Sequence, residues 1–250
     1  MNLQNALKAL PDTKGAVVVL SGGMDSTIAM RLCVEKYGAS NVRALTFDYG
    51  QKQRFEITKA QESTHSMLLK HKIFDLSVLG DISKGFSANV DTDIEMPTIK
   101  DVLGDPRPKT YVPNRNMILM SVAAAFAEVE GLDTVIMGLQ IHDEYGYHDT
   151  TARFVNKVND VLSENRIIKI KVIAPFAALS KVDELRILLE LDGHLGLTES
   201  TLTCYNPNDK GESCGNCPSC SERIANFMML GMKDPIPYSR DIPWSKACVV

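Results

Sequence analysis

A short glycine-containing segment directly follows a run of apolar residues near the start of the chain. Residues 16–19 read Ala-Val-Val-Val, and residues 20–26 read Leu-Ser-Gly-Gly-Met-Asp-Ser. Consecutive valines favour a buried strand, and two glycines allow a tight turn that a ligand can approach closely. The free N–H groups of such a turn, and of a helix that follows it, bind anions. The segment therefore predicts a strand, an anion-binding turn and a helix that starts near Ser26.

Three polar side chains refine the type of anion. The hydroxyl groups of Ser21 and Ser26 add hydrogen-bond donors, and the Asp25 carboxylate either caps the helix or helps to hold a Mg²⁺ ion. The segment lacks the third glycine of the dinucleotide fingerprint and the Gly-Lys-Ser/Thr of the kinase-type phosphate loop. The plain alternative is a strand–turn–helix corner without a ligand. The complete string favours a phosphate loop of another type.

The string at residues 21–26 resembles the pyrophosphate loop of the ATP pyrophosphatase superfamily, whose signature is Ser-Gly-Gly-x-Asp-Ser. Members of that superfamily typically cleave ATP between the α- and β-phosphates. They place the AMP group on a carboxylate, amide or carbonyl oxygen. The resemblance implies that this chain binds ATP at the turn.

Short apolar strands alternate with helical patterns along the chain. Further strands are predicted over residues 42–47, 73–76, 134–138 and 167–173. Helices are predicted over residues 26–37, 54–70, 116–129, 151–162 and 181–191. Residues 80–112 lack a clear period and are predicted to form a long mobile loop or lid. The alternation predicts an α/β fold with a doubly wound, mostly parallel sheet, whose ligand lies beyond the carboxyl ends of the strands.

Composition limits the partners of the chain. The 250 residues suffice for one large α/β domain, or for such a domain with a small appendage, and their net charge is −4. No overall basic field exists to attract nucleic acid, so nucleic acid is not an expected partner. The first residues have no apolar signal core, and no stretch approaches a membrane span. We therefore expect a cytoplasmic protein that does not contact membranes.

Four of the six cysteines lie close together in the sequence, namely Cys204, Cys214, Cys217 and Cys220. In a reducing cytosol, this spacing indicates a metal site, and four thiolates suit a closed, structural Zn²⁺ site. An iron–sulfur cluster and four unligated thiols are the alternatives. Cys33 is predicted to be a small core residue, and Cys248 a free thiol.

Other polar residues allow two interpretations when each is considered alone. Arg115 lies between two asparagines at the start of an apolar helix, where it could bind phosphate or carboxylate. The alternative is an asparagine helix cap beside a solvated arginine. Residues 142–149 are rich in acidic, imidazole and phenol groups after a strand, which suggests substrate contact. The local sequence around Lys181 favours a solvated lysine at a capped helix.

Together these residues resemble the 7-cyano-7-deazaguanine synthases of the queuosine pathway, over about residues 15–230. Beside the loop, the matches are Tyr49 with residues 51–54, Val-Pro-Asn-Arg-Asn at 112–116, Gly-Tyr at 146–147 and Lys181. They continue with Thr-Leu-Thr-Cys-Tyr at 201–205 and the Cys-Gly-Asn-Cys-Pro-Ser-Cys knuckle at 214–220. The last two motifs together are quite specific to this family.

The resemblance implies an adenine nucleotide alpha hydrolase-like, Rossmann-like fold, with an ATP pyrophosphatase domain over residues 1–195. A C-terminal zinc-knuckle region and tail would follow over residues 196–250. It further implies a homodimeric ligase that uses ATP with Mg²⁺, ammonia and one structural Zn²⁺. The expected substrate is 7-carboxy-7-deazaguanine. ATP activates its carboxylate, ammonia gives the amide, and a second activation dehydrates the amide to the nitrile.

The same resemblance implies roles for individual residues. Asp25, Ser26, Arg115 and Lys181 would be catalytic, with Lys181 and Arg115 as phosphate or carboxylate partners. The ATP site would comprise Leu20, Ser21, Gly22, Gly23, Met24, Asp25, Ser26 and Thr27. The substrate site would comprise Tyr49, Gln51, Arg54, Arg115, Asn116, Asp143, Tyr147 and Asp149. Cys204, Cys214, Cys217 and Cys220 would bind zinc.

The chain departs from the family pattern at two places. The interval between Cys204 and Cys214 is one residue longer than usual. The family typically reads Gly-Tyr-Pro-Asp-Cys-Arg, one or two acidic residues and Phe where this chain has residues 146–154. Thr151 therefore replaces an arginine, and Arg153 replaces an acidic residue. Helical positions two apart point to different faces, so Arg153 is not expected to substitute for the missing arginine.

This second departure keeps several functions open. One alternative is a relative that stops at the amide or uses another deazapurine acid or another amine. Others are a tRNA-modifying enzyme with the same ATP loop, and a nucleotide-binding regulatory protein that has lost its chemistry.

Overall fold

One sheet of five parallel strands forms the centre of the computed structural model, which describes residues 2–97, 108–140 and 147–244. The strands are β1 (Ala16–Val19), β2 (Val42–Asp48), β3 (Lys70–Asp75), β4 (Thr134–Met137) and β5 (Lys171–Ile173). Their order is β3-β2-β1-β4-β5, so the chain reverses its direction of winding between β1 and β4. A crevice at the carboxyl ends of these two strands is the usual ligand position in such a sheet. The predicted doubly wound α/β fold is confirmed.

Eight α-helices lie in the described parts of the chain. They are α1 (Leu3–Ala9), α2 (Met24–Tyr37), α3 (Phe55–Ser66), α4 (Ser77–Ser83), α5 (Arg115–Val129), α6 (Ala152–Leu162), α7 (Lys181–Asp192) and α8 (Pro218–Met229). Helix α2 starts two residues before the predicted Ser26. Helix α3 ends four residues before the predicted boundary, because Leu68 has a φ of 55° and Lys70 already belongs to β3. No helix in the described ranges is long and apolar enough to cross a membrane.

The prediction of a loop or lid over residues 80–112 is wrong for its first part, because Ser77–Ser83 form α4. Beyond α4, the backbone N–H group of Ala88 donates a 2.8 Å hydrogen bond to the carbonyl oxygen of Lys109. The buried Asn89 amide donates a 2.7 Å hydrogen bond to the carbonyl oxygen of Thr110. Hydrogen bonds of this kind depend on single residues and leave no periodic pattern in the sequence, so the sequence did not predict them. The remaining residues 98–107 lie outside the described part of the chain.

Alternate side chains of β1 lie on opposite faces of the sheet. Val18 packs into an apolar cluster with helices α1, α2 and α7, whereas Val17 and Val19 pack with α5 and α6. Cys33 lies in the first cluster and is fully buried, which confirms that it is a core residue. Phe227 of α8 is buried in the same cluster, so the cysteine-rich part of the chain shares this core.

Candidate active site

The turn between β1 and α2 is closed on both sides by backbone. Gly22 has a φ of 86°, and a Cβ atom there would lie 2.0 Å from the carbonyl oxygen of Glu56. Gly138, at the end of β4, approaches the loop as closely, since its Cβ would lie 2.6 Å from the Ser26 backbone nitrogen. Only glycine fits these contacts, and the result is a turn whose backbone faces the crevice.

Hydroxyl groups hold this turn in shape. The Oγ atoms of Ser21 and Ser26 are 3.0 Å apart, and the Gly23 N–H group donates a 3.1 Å hydrogen bond to Ser21 Oγ. Gly23 is the N-cap of α2, and no side chain caps the helix, so no capping side chain occupies its first N–H groups. Asp25 is the second residue of α2 and does not cap it, so the capping alternative for Asp25 is wrong.

A cavity of about 320 Å³ lies above the loop, and a second cavity of about 270 Å³ adjoins it. Asp25, Arg115 and Lys181 line both cavities. The first cavity also contains these other predicted site residues: Leu20, Ser21, Gly23, Ser26, Tyr49, Gln51 and Asn116. Tyr147 lines the second cavity. The structure thus brings most of the predicted ATP and substrate residues to one continuous crevice.

Several predicted residues lie elsewhere. The side chains of Met24 and Thr27 are fully buried and do not line the crevice. Arg54 is exposed and lies 3.4 Å from Asp48, outside both cavities. Asp149 is buried and accepts a 3.3 Å hydrogen bond from the Asn116 N–H group, so it fixes the start of α5. Residues 141–146, which include the predicted Asp143, lie outside the described part of the chain.

Lys181 lies at the junction of the two cavities and is not solvated, which corrects the interpretation of its local sequence. Its Nζ atom is 3.3 Å from Asp25 Oδ2 and 3.3 Å from Glu222 Oε2. Burial opposes the charge of Lys181, but Asp25, Glu222 and Glu184 outweigh it and raise the lysine pKa. Lys181 therefore presents a fixed positive charge beside the loop, where phosphate or carboxylate oxygens would lie.

Sequence reasoning did not identify two acidic residues that line the crevice and a third that bonds to the crevice residue Gln140. Glu222 lines the second cavity, and the fully buried Glu184 accepts a hydrogen bond from Gln140. Burial, followed by the charge of Asp25, raises the pKa of Glu184 well above its usual range. Glu56 lines the first cavity, and burial raises its pKa to about 8. The only available signal was spacing, since Glu184 follows Lys181 by three residues on α7.

Arg115 begins α5 and faces the crevice. The preceding Asn114 has a φ of 52° and makes no side-chain cap, so the alternative of an asparagine cap beside a solvated arginine is wrong. Arg115 Nη1 donates a 3.3 Å hydrogen bond to the Tyr49 hydroxyl group, and its guanidinium carbon lies 5.9 Å from the Tyr49 ring centroid. These contacts hold a second cation at the crevice.

The segment that departs from the family pattern has a local structural role. Thr151 is the N-cap of α6, and its hydroxyl oxygen accepts a 3.2 Å hydrogen bond from the Phe154 N–H group. Arg153 is exposed on α6 and lines neither cavity, as its position two residues after Thr151 predicts. Tyr147 bonds to Thr110 at the second cavity. Neither Thr151 nor Arg153 places a guanidinium group in the crevice.

The four clustered cysteines converge as predicted. Their Sγ atoms, those of Cys204, Cys214, Cys217 and Cys220, lie within 4.8 Å of one another. The Cys214 N–H group donates to Cys204 Sγ at 3.2 Å, and the Cys220 N–H group donates to Cys217 Sγ at 3.4 Å. Backbone donors of this kind favour thiolate sulfur. The donor set fits Zn²⁺ in a closed tetrahedral site, which leaves no position for substrate.

Residues 15–231 match the sequence model of a family described as "QueC: Queuosine biosynthesis protein QueC". The chain is 36% identical over 230 residues to the 7-cyano-7-deazaguanine synthase of Campylobacter curvus, covering 90% of this chain and 98% of that protein. It is 37% identical over 237 residues to the enzyme of that name from Koribacter versatilis, covering 91% and 94%.

Among solved structures, the chain is similar to NMN synthetase from Francisella tularensis. That chain is 16% identical, with a TM-score of 0.48, and the match covers 92% of this chain and 85% of the other.

Proposed function

The chain belongs to the QueC family of queuosine biosynthesis proteins, and on that premise we propose that it converts 7-carboxy-7-deazaguanine and ammonia to 7-cyano-7-deazaguanine with ATP. One observation carries this proposal most directly. Lys181 lies where the loop cavity meets the second cavity and pairs with Asp25 of the loop helix. The two cavities together give room for a nucleotide and for a bicyclic acid that react with each other.

The chemistry of the acid explains why such a site needs ATP. A carboxylate is a poor electrophile until one of its oxygens becomes part of a leaving group. In the proposed reaction, that oxygen attacks the α-phosphorus, and pyrophosphate leaves toward the N–H groups of the turn. Fixed donors and positive charges that face the developing charge supply much of the rate enhancement in such sites. Here the donors are the turn and Ser21, and the positive charges are Lys181 and Arg115.

Ammonia then completes the first half of the reaction. It attacks the activated carbonyl carbon, loses a proton, and expels AMP to give the primary amide. A second ATP activates the amide oxygen in the same way. Loss of both N–H protons and departure of AMP with that oxygen leave the C≡N bond. Each nitrile would therefore consume two ATP molecules, one for each oxygen removed from the carbon.

Two metal ions belong to the proposal in different ways. Zn²⁺ would be held by Cys204, Cys214, Cys217 and Cys220, and it would stabilise the C-terminal region without contacting substrate. Mg²⁺ would accompany ATP, with Asp25 as its expected ligand, and would neutralise phosphate charge. We further propose that the protein is a cytoplasmic homodimer. Analytical ultracentrifugation of the metal-loaded protein would test the oligomeric state.

The experiment follows the product directly. Purified protein is incubated with Mg-ATP, ammonium and 7-carboxy-7-deazaguanine, and products are identified by mass spectrometry. We expect the nitrile, with two AMP released for each molecule formed. Reactions without protein and without ATP serve as the negative controls. An absence of ATP consumption with every deazaguanine acid tested would overturn the proposal.

A second candidate is a relative that stops at the amide. The observation that favours it is the position of Thr151 and Arg153, which leaves the crevice without the guanidinium group expected from the family pattern. In the same assay, this candidate gives an amide that never dehydrates, and one AMP for each product molecule. Purified amide supplied as the substrate would then remain unchanged.

A further inference from the structure

Glu56 is a crevice residue with a position fixed by the loop itself. It lies in the first turn of α3, and its backbone carbonyl packs against Gly22 so closely that no Cβ could be accommodated there. Glu56 lines the same cavity as Ser21 and Ser26. Any movement of the start of α3 would therefore displace the phosphate loop.

The cavity around Glu56 suits a flat ring. Its lining combines the aromatic side chains of Phe47 and Tyr49 with the aliphatic side chains of Leu119 and Met137. Aromatic and aliphatic walls with a few polar groups are the usual surroundings of a bound heterocycle. The hydrogen bond from Arg115 to the Tyr49 hydroxyl group fixes the tyrosine ring in this wall.

The Glu56 carboxyl group has a vacant hydrogen-bonding capacity. Among the described residues, Arg115 is the charged group that acts on it, and none donates a hydrogen bond to its oxygens. Glu56 is half-buried, and a carboxyl group without such a partner has oxygens that are free to bond to a ligand. Gln51 lines the same cavity but differs from Glu56, because its amide oxygen accepts a hydrogen bond from the Tyr49 N–H group and its amide nitrogen donates one to the Phe47 carbonyl.

We propose that Glu56 binds the N–H-bearing edge of a planar heterocyclic base in the first cavity. This inference rests on the proposed function, which brings two such bases to the crevice, the adenine of ATP and the deazaguanine ring. Burial raises the pKa of Glu56 to about 8, so at neutral pH this side chain is a carboxylic acid with one donor and one acceptor.

The two bases present different edges to Glu56. Adenine offers one acceptor, N1, beside one donor, the exocyclic amino group. The pyrimidine edge of a deazaguanine offers two donors, N1–H and the 2-amino group. A neutral carboxyl group, or a glutamine amide, complements the first edge, whereas an ionised carboxylate with two acceptors complements the second. The Glu56→Gln variant therefore distinguishes binding of adenine from binding of the deazaguanine ring.

The test measures each dissociation constant separately by calorimetry, for Mg-ATP without the acid and for the acid without ATP. We expect Glu56→Ala to weaken one of them by about 10- to 100-fold, the loss of a bidentate hydrogen-bonded pair. If adenine is the ligand, Glu56→Gln retains Mg-ATP affinity. If the deazaguanine ring is the ligand, Glu56→Gln loses affinity for the acid as Glu56→Ala does. Glu62→Gln, on the exposed face of α3, is the matched control.

Unchanged constants in a folded Glu56→Ala variant would overturn the inference. Melting temperatures identify a variant that fails to fold, and Glu56→Gln, which keeps the volume of the side chain, then decides by the same two constants. Failure of the proposed function shows differently, as a wild-type protein that does not bind the acid. In that case, an unchanged Mg-ATP constant in the Glu56 variants would overturn the inference as well.

Discussion

The backbone N–H group of Leu202 donates a 2.9 Å hydrogen bond to the carbonyl oxygen of Gly22. Leu202 precedes the first cluster cysteine by two residues, so this bond joins the metal region to the phosphate loop. The buried Arg223 of α8 strengthens the link, since it bonds to Thr201 at 2.7 Å and pairs with Asp234 at 2.6 Å. The cysteine cluster is therefore connected to the phosphate loop by hydrogen bonds and an ion pair.

Loss of the metal should lower the stability of the protein. We expect Cys217→Ser to abolish stoichiometric zinc and to lower Tm by about 5 °C or more, because at least about 2 kcal/mol of stability is lost. Zinc content is measured by plasma emission spectrometry, and Tm by calorimetry. Cys33→Ala, a core cysteine outside the cluster, should lose stability but keep its zinc. Iron and sulfide in place of zinc would show that the cluster is an iron–sulfur site.

Replacement of Gly22 should disturb the loop far more than the unfavourable positive φ of this position would by itself. Gly22→Ala brings a Cβ within 2.0 Å of the Glu56 carbonyl oxygen, so the loop must move and Mg-ATP affinity should fall at least about 10-fold. Gly38→Ala is the matched control. Its φ of 79° is equally unfavourable, but its Cβ meets open space. We expect Gly38→Ala to cost about 1–2 kcal/mol of stability and to retain Mg-ATP affinity, as measured by calorimetry.

Removal of the Lys181 charge should impair catalysis. Lys181→Met keeps the length of the side chain but leaves Asp25 and Glu222 without their shared cation. We expect kcat to fall by about 10²- to 10³-fold, measured as pyrophosphate release. The exposed Lys157, paired with Asp160 on α6, provides the control Lys157→Met, which should change kcat by less than about twofold. A fully active Lys181→Met would remove Lys181 from the reaction.

Replacement of Arg115, which lines the crevice, should impair catalysis, whereas replacement of Arg153, which lines neither cavity, should not. Arg115→Lys loses the planar, bidentate guanidinium group and its contact with Tyr49, so we expect kcat/KM for the acid to fall about 10-fold or more. Arg153→Ala removes an exposed side chain and should leave kcat/KM unchanged. Steady-state kinetics with the acid as the varied substrate would check both. A large effect of Arg153→Ala would mean that α6 moves toward the crevice when substrate binds.

Sequence reasoning was most successful where a pattern is local and repeated. The valines of β1 predicted the central strand, the glycines after it predicted the turn, and the spacing of four cysteines predicted their convergence. Each of these signals is set by backbone geometry or by ligand number within a few residues.

The features that the sequence did not predict depend on contacts between segments that lie far apart in the chain. Lys181 looked solvated because Asp25 and Glu222, which bury and pair it, come from two other helices. Gly138 looked like the end of a strand, although its contact with Ser26 excludes a side chain. Helix α4 has only seven residues, too few for a periodic signal to separate it from a loop.

Stability should depend on pH through Glu56. Burial raises its folded-state pKa from 4.5 to about 8, so between these values the unfolded chain has released a proton that the folded chain retains. Because the folded state then binds more protons, the free energy of unfolding falls as pH rises through this window and levels off above it. Glu56→Gln cannot ionise, so its free energy of unfolding should lack this component. Urea unfolding of both proteins at pH 5 and pH 8 gives the comparison, with the exposed Glu164→Gln as the control. If wild type and Glu56→Gln lose the same free energy over this range, Glu56 is already ionised in the folded protein.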